Sequence, residues 1–228
     1  MKRVWLIDFL RGTAVIMMIV FHFLFYADYF GFAKFSLYSG LIGRFQMLIP
    51  LIFIFVSGVS SRIQAKRRGK KEVIKRGFKV LGFGMTITLA TLVLFPESFV
   101  FFGILHLIGA CIILSALFNE YSALVFGAII LFISNMVNNS VADIKCLSIL
   151  GFNYPLLNTF DYYPLIPWMG VFLAGMFGSK FFLKLKGSRV DNGLIRAFCW
   201  AGKNSLKIYF AHIIVLYLGF YFAAKLLL

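Results

Sequence analysis

The chain of 228 residues is 61% hydrophobic and only 14% charged, with a mean hydropathy of +0.93. A soluble domain is typically about half apolar and about a quarter charged. This composition therefore excludes a disordered chain, a secreted disulfide mini-protein and an ordinary soluble enzyme. The chain also carries 23 lysine and arginine residues against 8 acidic ones. A net charge of +15 would point to nucleic acid in a soluble protein, so the placement of the charges decides their meaning.

Seven long apolar segments predict membrane-spanning helices, because a span needs about 17–25 mostly apolar residues. Six of them contain no Asp, Glu, Lys or Arg, and the first has an uncharged middle, Thr13–Ala27. The segments are Trp5–Phe30, Phe45–Ser61, Val80–Pro96, Ser98–Asn119, Tyr121–Ala142, Tyr162–Ser179 and Ile208–Ala224. We therefore predict an all-α, polytopic membrane bundle that forms a single domain over residues 1–228.

The segment Cys146–Phe160 is the uncertain part of this topology. It is uncharged but contains Asn153, Pro155 and Asn158, which favours an external interfacial or re-entrant segment. If it spans the membrane, the chain has eight helices and the carboxyl terminus moves to the inner side.

The basic residues indicate the orientation. With the amino terminus in the cytoplasm, 19 of the 23 basic residues fall on the inner side and four on the outer side, as the positive-inside rule requires. Nine of them lie between Arg62 and Lys79. Such a run holds a loop in the cytoplasm and contacts anionic lipid, or also binds a polyanionic ligand. Nucleic acid is not expected, because no reading module surrounds the run.

The cysteines and histidines predict neither disulfides nor a metal site. Cys111, Cys146 and Cys199 fall in different layers of the predicted bundle, so they do not form a disulfide framework. The chain also lacks the Cys and His spacing of a metal site.

Ionisable side chains inside spans are costly, and this makes them candidates for function. Asp8 and Arg11 are three residues apart on the first helix and can pair. His22 follows Arg11 by eleven residues, which returns it to within about 20° of the same direction and about 16 Å further out. The stripe predicts a face turned to a cavity, or a neutralised pair with an interhelical hydrogen bond.

The other candidates lie on later helices. His106 has Gly103 and Ala110 on its face, so it is either a functional or a packing histidine. His212 shares a face of the last helix with Ser205 and Tyr209. Asp161 and Trp168 open the sixth helix from outside, where Asp161 is alternatively a helix cap and Trp168 part of an aromatic belt.

Three of the candidate residues are predicted to lie at the same depth in the membrane. His22, His106 and Asp161 all fall in the outer layer of the predicted bundle, where neutral histidines and a carboxylate can take a proton from a nucleophile. The basic loops lie at the opposite side. A ligand with a charged head at the inner side and a reactive tip further out has the polarity of acetyl-CoA.

Five stretches of the chain resemble one family of membrane enzymes. RVWLIDFLRGTAVIMMIVFH, LIPLIFIFVSGVSSRI, FFGILHLIGACIIL, DYYPLIPWMGVFLAG and GKNSLKIYFAHIIVLY are similar, in order, to the heparan-alpha-glucosaminide N-acetyltransferase catalytic-domain family, especially its small prokaryotic members. The resemblance implies a transmembrane acyltransferase that moves an acetyl group from cytosolic acetyl-CoA to an amine or hydroxyl of a sugar across the membrane. The animal enzyme's proposed catalytic histidine lies in the first external loop, whereas residues 28–43 contain no histidine here. His22 or His106 would take its place, or the chemistry differs.

The resulting hypothesis gives each candidate a role. Catalysis is assigned to His22, His106 and Asp161; cofactor binding to Asp8, Arg11, Arg62, Lys66, Arg67 and Arg76; and substrate contact to Trp168, Arg44 and His212. Acetyl-CoA is the expected acyl donor, with no metal. The expected partners are the lipid bilayer and a sugar or glycan acceptor, without nucleic acid, and a homodimer is left open. The expected location is the plasma membrane, with multiple passes.

Two other readings of the same residues remain. A small transporter or flippase for a polar lipid would use the intramembrane charges as a substrate path without chemistry. A structural partner subunit would use them only to pack its helices.

Overall fold

The computed structural model describes residues 4–184 and 192–227. Within these residues the chain is helical, without strands, and its α-helices follow one another in this order: α1 (Trp5–Tyr29), α2 (Gly40–Arg68), α3 (Lys70–Leu94), α4 (Ile104–Leu114), α5 (Glu120–Asn139), α6 (Leu165–Lys184), α7 (Gly193–Lys203) and α8 (Ser205–Leu227). Short 3-10 helices cover Ser115–Leu117 and Lys145–Leu150.

The predicted class of a polytopic helical membrane protein is confirmed. Six helices (α1, α2, α3, α5, α6 and α8) are long and apolar enough to cross a bilayer, and Ile104–Leu117 is a shorter apolar helical stretch. α7 is amphipathic and has only 11 residues, too few for a span. Between Cys146 and Phe160 the only helical residues belong to the 3-10 helix, so an eighth span does not form there.

α4 begins six residues later than its apolar segment predicts. The segment before it pairs with the chain that leads into α6: Phe160 N–H donates to the Ser98 carbonyl at 3.1 Å, and Tyr163 N–H to the Phe102 carbonyl at 3.0 Å. These residues therefore use their backbone groups in a tertiary contact, which hydropathy alone does not reveal.

The described chain forms two compact units. The first holds the described parts of Met1–Phe53 and Lys184–Leu228, and the second holds Ile54–Leu183. The long helix α2 contributes residues to both. Each unit is described by itself below.

Glycines let the backbones of α1 and α7 touch in the first unit. A Cβ added at Gly12 would overlap the carbonyl oxygen of Phe198, and one added at Gly202 would overlap the carbonyl oxygen of Asp8. The rings of Phe9 and Phe198 stack beside this contact, with centroids 5.4 Å apart. The two backbones approach this closely because glycine has no Cβ at either contact.

Glycines also allow close contact between helix backbones in the second unit. A Cβ at Gly58 would overlap the carbonyl oxygen of Phe172, and one at Gly175 would overlap that of Phe55, so α2 and α6 lie in backbone contact. α3 and α4 meet through Gly109, where a Cβ would lie 2.7 Å from the Leu81 nitrogen.

This packing predicts a large effect of one added methyl group. We expect Gly12→Ala to lower the free energy of unfolding by about 1–3 kcal/mol, because the methyl displaces a backbone rather than a flexible side chain. Thermal unfolding in detergent, followed by circular dichroism, measures the change. Gly219→Ala in α8 is the matched control, since a Cβ there meets no atom within 4 Å. Equal unfolding midpoints for the two variants would contradict the packing described.

Candidate functional site

His22 of α1 and His212 of α8 meet inside the first unit. Their ring centroids are 4.8 Å apart and the rings are nearly perpendicular, at 81°. His212 is buried and His22 is partly buried. The sequence places each residue on a polar helix face, but only the fold shows that the two faces contact each other.

Hydrogen bonds define the protonation of both rings. Nδ1 of His22 lies 2.9 Å from the Met18 carbonyl oxygen, and Nδ1 of His212 lies 3.1 Å from the Ile208 carbonyl oxygen. A carbonyl only accepts, so each neutral ring carries its hydrogen on Nδ1 and a lone pair on Nε2. Nε2 of His212 is buried without a hydrogen-bond partner in the described chain, and no described residue bonds to Nε2 of His22. The pair therefore presents two imidazole lone pairs that can accept a proton.

The Asp8–Arg11 pair lies near the other end of α1. Nη1 of Arg11 is 3.8 Å from Oδ1 of the buried Asp8. This is the i,i+3 contact that the spacing predicts. It sits at the close contact of α1 with α7, where Asp8 also supplies the carbonyl that faces Gly202.

His106 occupies the first turn of α4 in the second unit, with both ring nitrogens bonded. Gly103 N–H donates to Nδ1 at 3.2 Å, and Nε2 lies 3.1 Å from the hydroxyl oxygen of Thr88. Because the Thr88 hydroxyl donates to the Val100 carbonyl at 2.7 Å, it accepts from His106, and Nε2 carries the hydrogen. In this arrangement the ring caps the helix and has no lone pair to spare.

Asp161 binds the same helix end. Its Oδ2 accepts a hydrogen bond from Ile104 N–H at 3.0 Å and lies against Gly103. Burial raises the pKa of this carboxyl to about 6, although the Ile104 N–H opposes the rise. Asp161 thus caps α4, whereas its position in the sequence suggests the nearer α6.

Trp168 lies in the second unit and Arg44 in the first. The Trp168 ring packs edge-on to Tyr163 at a centroid distance of 5.4 Å. Arg44 lines a shallow cavity of about 310 Å³ in the first unit, together with Tyr38, Ser39 and Gln46.

The basic run pairs with a carboxylate from α5, Glu120, which the sequence pattern does not single out. Arg62 donates from Nη2 to Oε2 of Glu120 at 2.6 Å, and Lys66 pairs with the other oxygen of the same carboxylate. Arg76 donates to the Gln64 side chain at 2.6 Å. Glu120 opens α5 on the strongly basic inner side, and that isolated acidic residue is the signal that points to an ion pair.

Two guanidinium nitrogens in the basic run lack partners. Nη2 of Arg67 and Nε of Arg62 are buried without a hydrogen bond in the described chain. An arginine N–H in that state is costly, and an anionic oxygen would satisfy it. These residues therefore fit the phosphates of a nucleotide-bearing donor. No cluster of three or more potential metal ligands occurs in the described chain, and its three cysteines are free.

The described chain combines six apolar helices long enough to span a membrane with two buried histidines, His106 and His212, as expected for a polytopic membrane protein with polar groups inside its helices. The family model for the catalytic part of heparan-alpha-glucosaminide N-acetyltransferase matches residues 3–214. The chain belongs to this family of transferases, as its five motifs indicate. No curated protein and no solved structure gives a significant match to the chain.

The Asp161 carboxyl predicts a pH effect on stability. Its folded-state pKa of about 6 lies above the ordinary pKa of 3.8 for an aspartate side chain. The folded state therefore binds the proton more tightly, and stability falls as pH rises from about 4 to about 6. We expect Asp161→Asn, which keeps an oxygen for Ile104 N–H, to lose this part of the dependence. Unfolding midpoints of both proteins from pH 4 to 7 measure it. Parallel profiles would show that Asp161 titrates normally.

Proposed function

We propose that the protein is a membrane-embedded acyltransferase that moves an acetyl group from cytosolic acetyl-CoA to an amine or hydroxyl of an extracytoplasmic sugar. The family match over residues 3–214 carries this proposal. The two available imidazole lone pairs and the unpartnered arginine nitrogens support it, because acetyl transfer needs a base for the acceptor and cations for the donor phosphates.

The base in this proposal is His22. Its Nε2 accepts the proton that the acceptor loses as the acceptor's nitrogen or oxygen bonds to the thioester carbonyl carbon. The carbon–sulfur bond then breaks, and the proton passes to the departing sulfur. Direct transfer and transfer through an acetyl-histidine both use this lone pair.

His212 and His106 have different supporting roles. His212 packs against His22 and offers a second lone pair for the same proton. His106 and Asp161 hold the first turn of α4, and their hydrogen bonds support a positioning role. Trp168 and Arg44 remain proposed contacts for the acceptor.

The donor phosphates are proposed to bind to the basic run. Arg67 offers a buried N–H without a partner, and Arg62 offers a second one. Lys66 and Arg76 add charge in the same run. Asp8 and Arg11 remain proposed cofactor-binding residues. Arginine suits phosphate because its planar fork donates two parallel hydrogen bonds.

The same charges support an orientation in the membrane. We propose a plasma-membrane protein with a cytoplasmic amino terminus, because 19 of 23 basic residues then lie inside. Cytosolic acetyl-CoA would reach the basic run directly from that side.

Removal of the base is the first test of the chemistry. We expect His22→Asn to lower kcat for acetyl transfer to a glucosamine acceptor about 10²–10⁴-fold, the usual contribution of a general base. Radiolabelled acetyl transfer by the purified protein measures it. Val20→Ala, at an exposed position of the same helix, is the control and keeps the activity. An unchanged kcat in His22→Asn would remove His22 from the mechanism.

The donor site has its own test. We expect Arg67→Gln to raise KM for acetyl-CoA about tenfold with little change in kcat, because the lost contact is to the phosphates and not to the reacting thioester. Lys34→Gln is the charge-matched control, since Lys34 is exposed and belongs to the outer set. Equal KM values for the two variants would argue against a donor site at Arg67.

A further inference from the structure

The second unit contains a cavity that none of the proposed steps uses. It has a volume of about 400 Å³ and lies where the end of α5 meets the loop that leads to α6. Its lining includes Asn138, Asn153, Tyr154, Pro155 and Tyr162. The distribution of basic residues assigns this loop to the extracytoplasmic side.

Hydrogen bonds hold the base of this cavity in place. Ala142 N–H donates to the Asn153 carbonyl and Asn153 N–H to the Ser140 carbonyl, both at 2.9 Å. The Tyr162 hydroxyl donates to the Ser148 carbonyl at 2.6 Å. A cavity fixed by such contacts is preformed, so a ligand does not have to order the loop when it binds.

Gly151 and Asn138 complete the base. Gly151 ends the 3-10 helix with φ of +119°, and a Cβ there would lie 2.6 Å from the Ile166 carbonyl oxygen. With its amide nitrogen turned to the carbonyls, Asn138 donates to Gly151 at 3.1 Å and to Ile166 at 3.3 Å. Glycine at this position is therefore required both by its backbone conformation and by the space.

The chemistry of the lining indicates the class of ligand. None of the lining residues is charged, and the cavity combines amide and phenol groups with flat aromatic and proline surfaces. Neither the Asn153 amide nor the Tyr154 hydroxyl forms a side-chain hydrogen bond within the described chain. A pyranose has hydroxyls at its rim and an apolar C–H face, and both find partners in such a lining.

We propose that this cavity binds an uncharged sugar residue of the acceptor glycan. That the ligand belongs to the acceptor rests on the proposed function, whereas the preference for an uncharged sugar rests on the lining alone. The absence of lysine and arginine from the lining distinguishes this site from one for a uronic acid or a sulfated sugar, which would need a cation.

Direct binding to the full-length protein tests the proposal without catalysis. Methyl β-glucoside and methyl β-glucuronide are matched probes, because they differ only in the neutral or carboxylate group at C6. We expect saturable binding of the glucoside in calorimetry or saturation-transfer NMR, and at least about fivefold weaker binding of the glucuronide, since a carboxylate would be desolvated without a cation. No saturable glucoside binding, or equal binding of both probes, would overturn the proposal.

Variants locate the binding in this cavity. Tyr154→Phe and Asn153→Ala should each raise the Kd of the glucoside about threefold to tenfold, the effect of one lost hydrogen bond. Tyr221→Phe in α8 is the control and leaves Kd unchanged. Unchanged affinity in both cavity variants would place the sugar elsewhere and overturn the proposal.

The His22→Asn protein separates this proposal from the proposed function. It should bind the glucoside as the wild type does, while its kcat for acetyl transfer falls about 10²–10⁴-fold. If the wild type binds the sugar but transfers nothing, the acyltransferase proposal fails and the sugar site stands. If transfer is observed without glucoside binding, the reverse holds.

Discussion

Hydrocarbon offers no hydrogen bond to a polar group, and most of the polar side chains in these helices are arranged around that fact. Thr13, Thr91, His22 and His212 each bond to the carbonyl four residues earlier in their own helix. Such bonds satisfy the side chain before any other helix is involved. A buried group that still lacks a partner, such as Nε2 of His212 or Nη2 of Arg67, is then the exception that indicates a ligand or a reaction.

The same constraint explains how much of the fold can be predicted. Span length depends on local composition, so the six long spans and their order follow from the sequence. α4 is different, because Ser98 and Phe102 bond to the chain around Phe160 and Tyr163 and leave the helix to begin at Ile104. These tertiary hydrogen bonds replace helical ones, and each joins residues about 60 positions apart in the sequence. Hydropathy averaged over one segment cannot predict such a distant contact.

In the candidate site, too, the sequence predicts features within one helix but not contacts between distant helices. Helical periodicity predicts a polar face of α1 with His22 and one of α8 with His212. The contact between them joins the first and last helices, and the hydropathy pattern of neither helix reports it. The sequence makes Asp161 a candidate cap for the nearby α6. In the structure it caps α4, because the loop folds back onto the start of α4. The sequence does not identify the partner of Glu120, because Arg62 lies 58 residues away.

The donor and the acceptor are proposed to bind at opposite sides of the membrane. Donor phosphates are proposed to bind to the basic run, whereas the sugar is proposed to bind in the outer cavity, whose lining is uncharged. Sided vesicles test this most directly, with labelled acetyl-CoA supplied on one side of the membrane and glucosamine on the other. The account predicts acetyl-glucosamine only when acetyl-CoA is on the side of Arg62–Lys79. Transfer with both reactants on one side, or with acetyl-CoA on the opposite side, would contradict it.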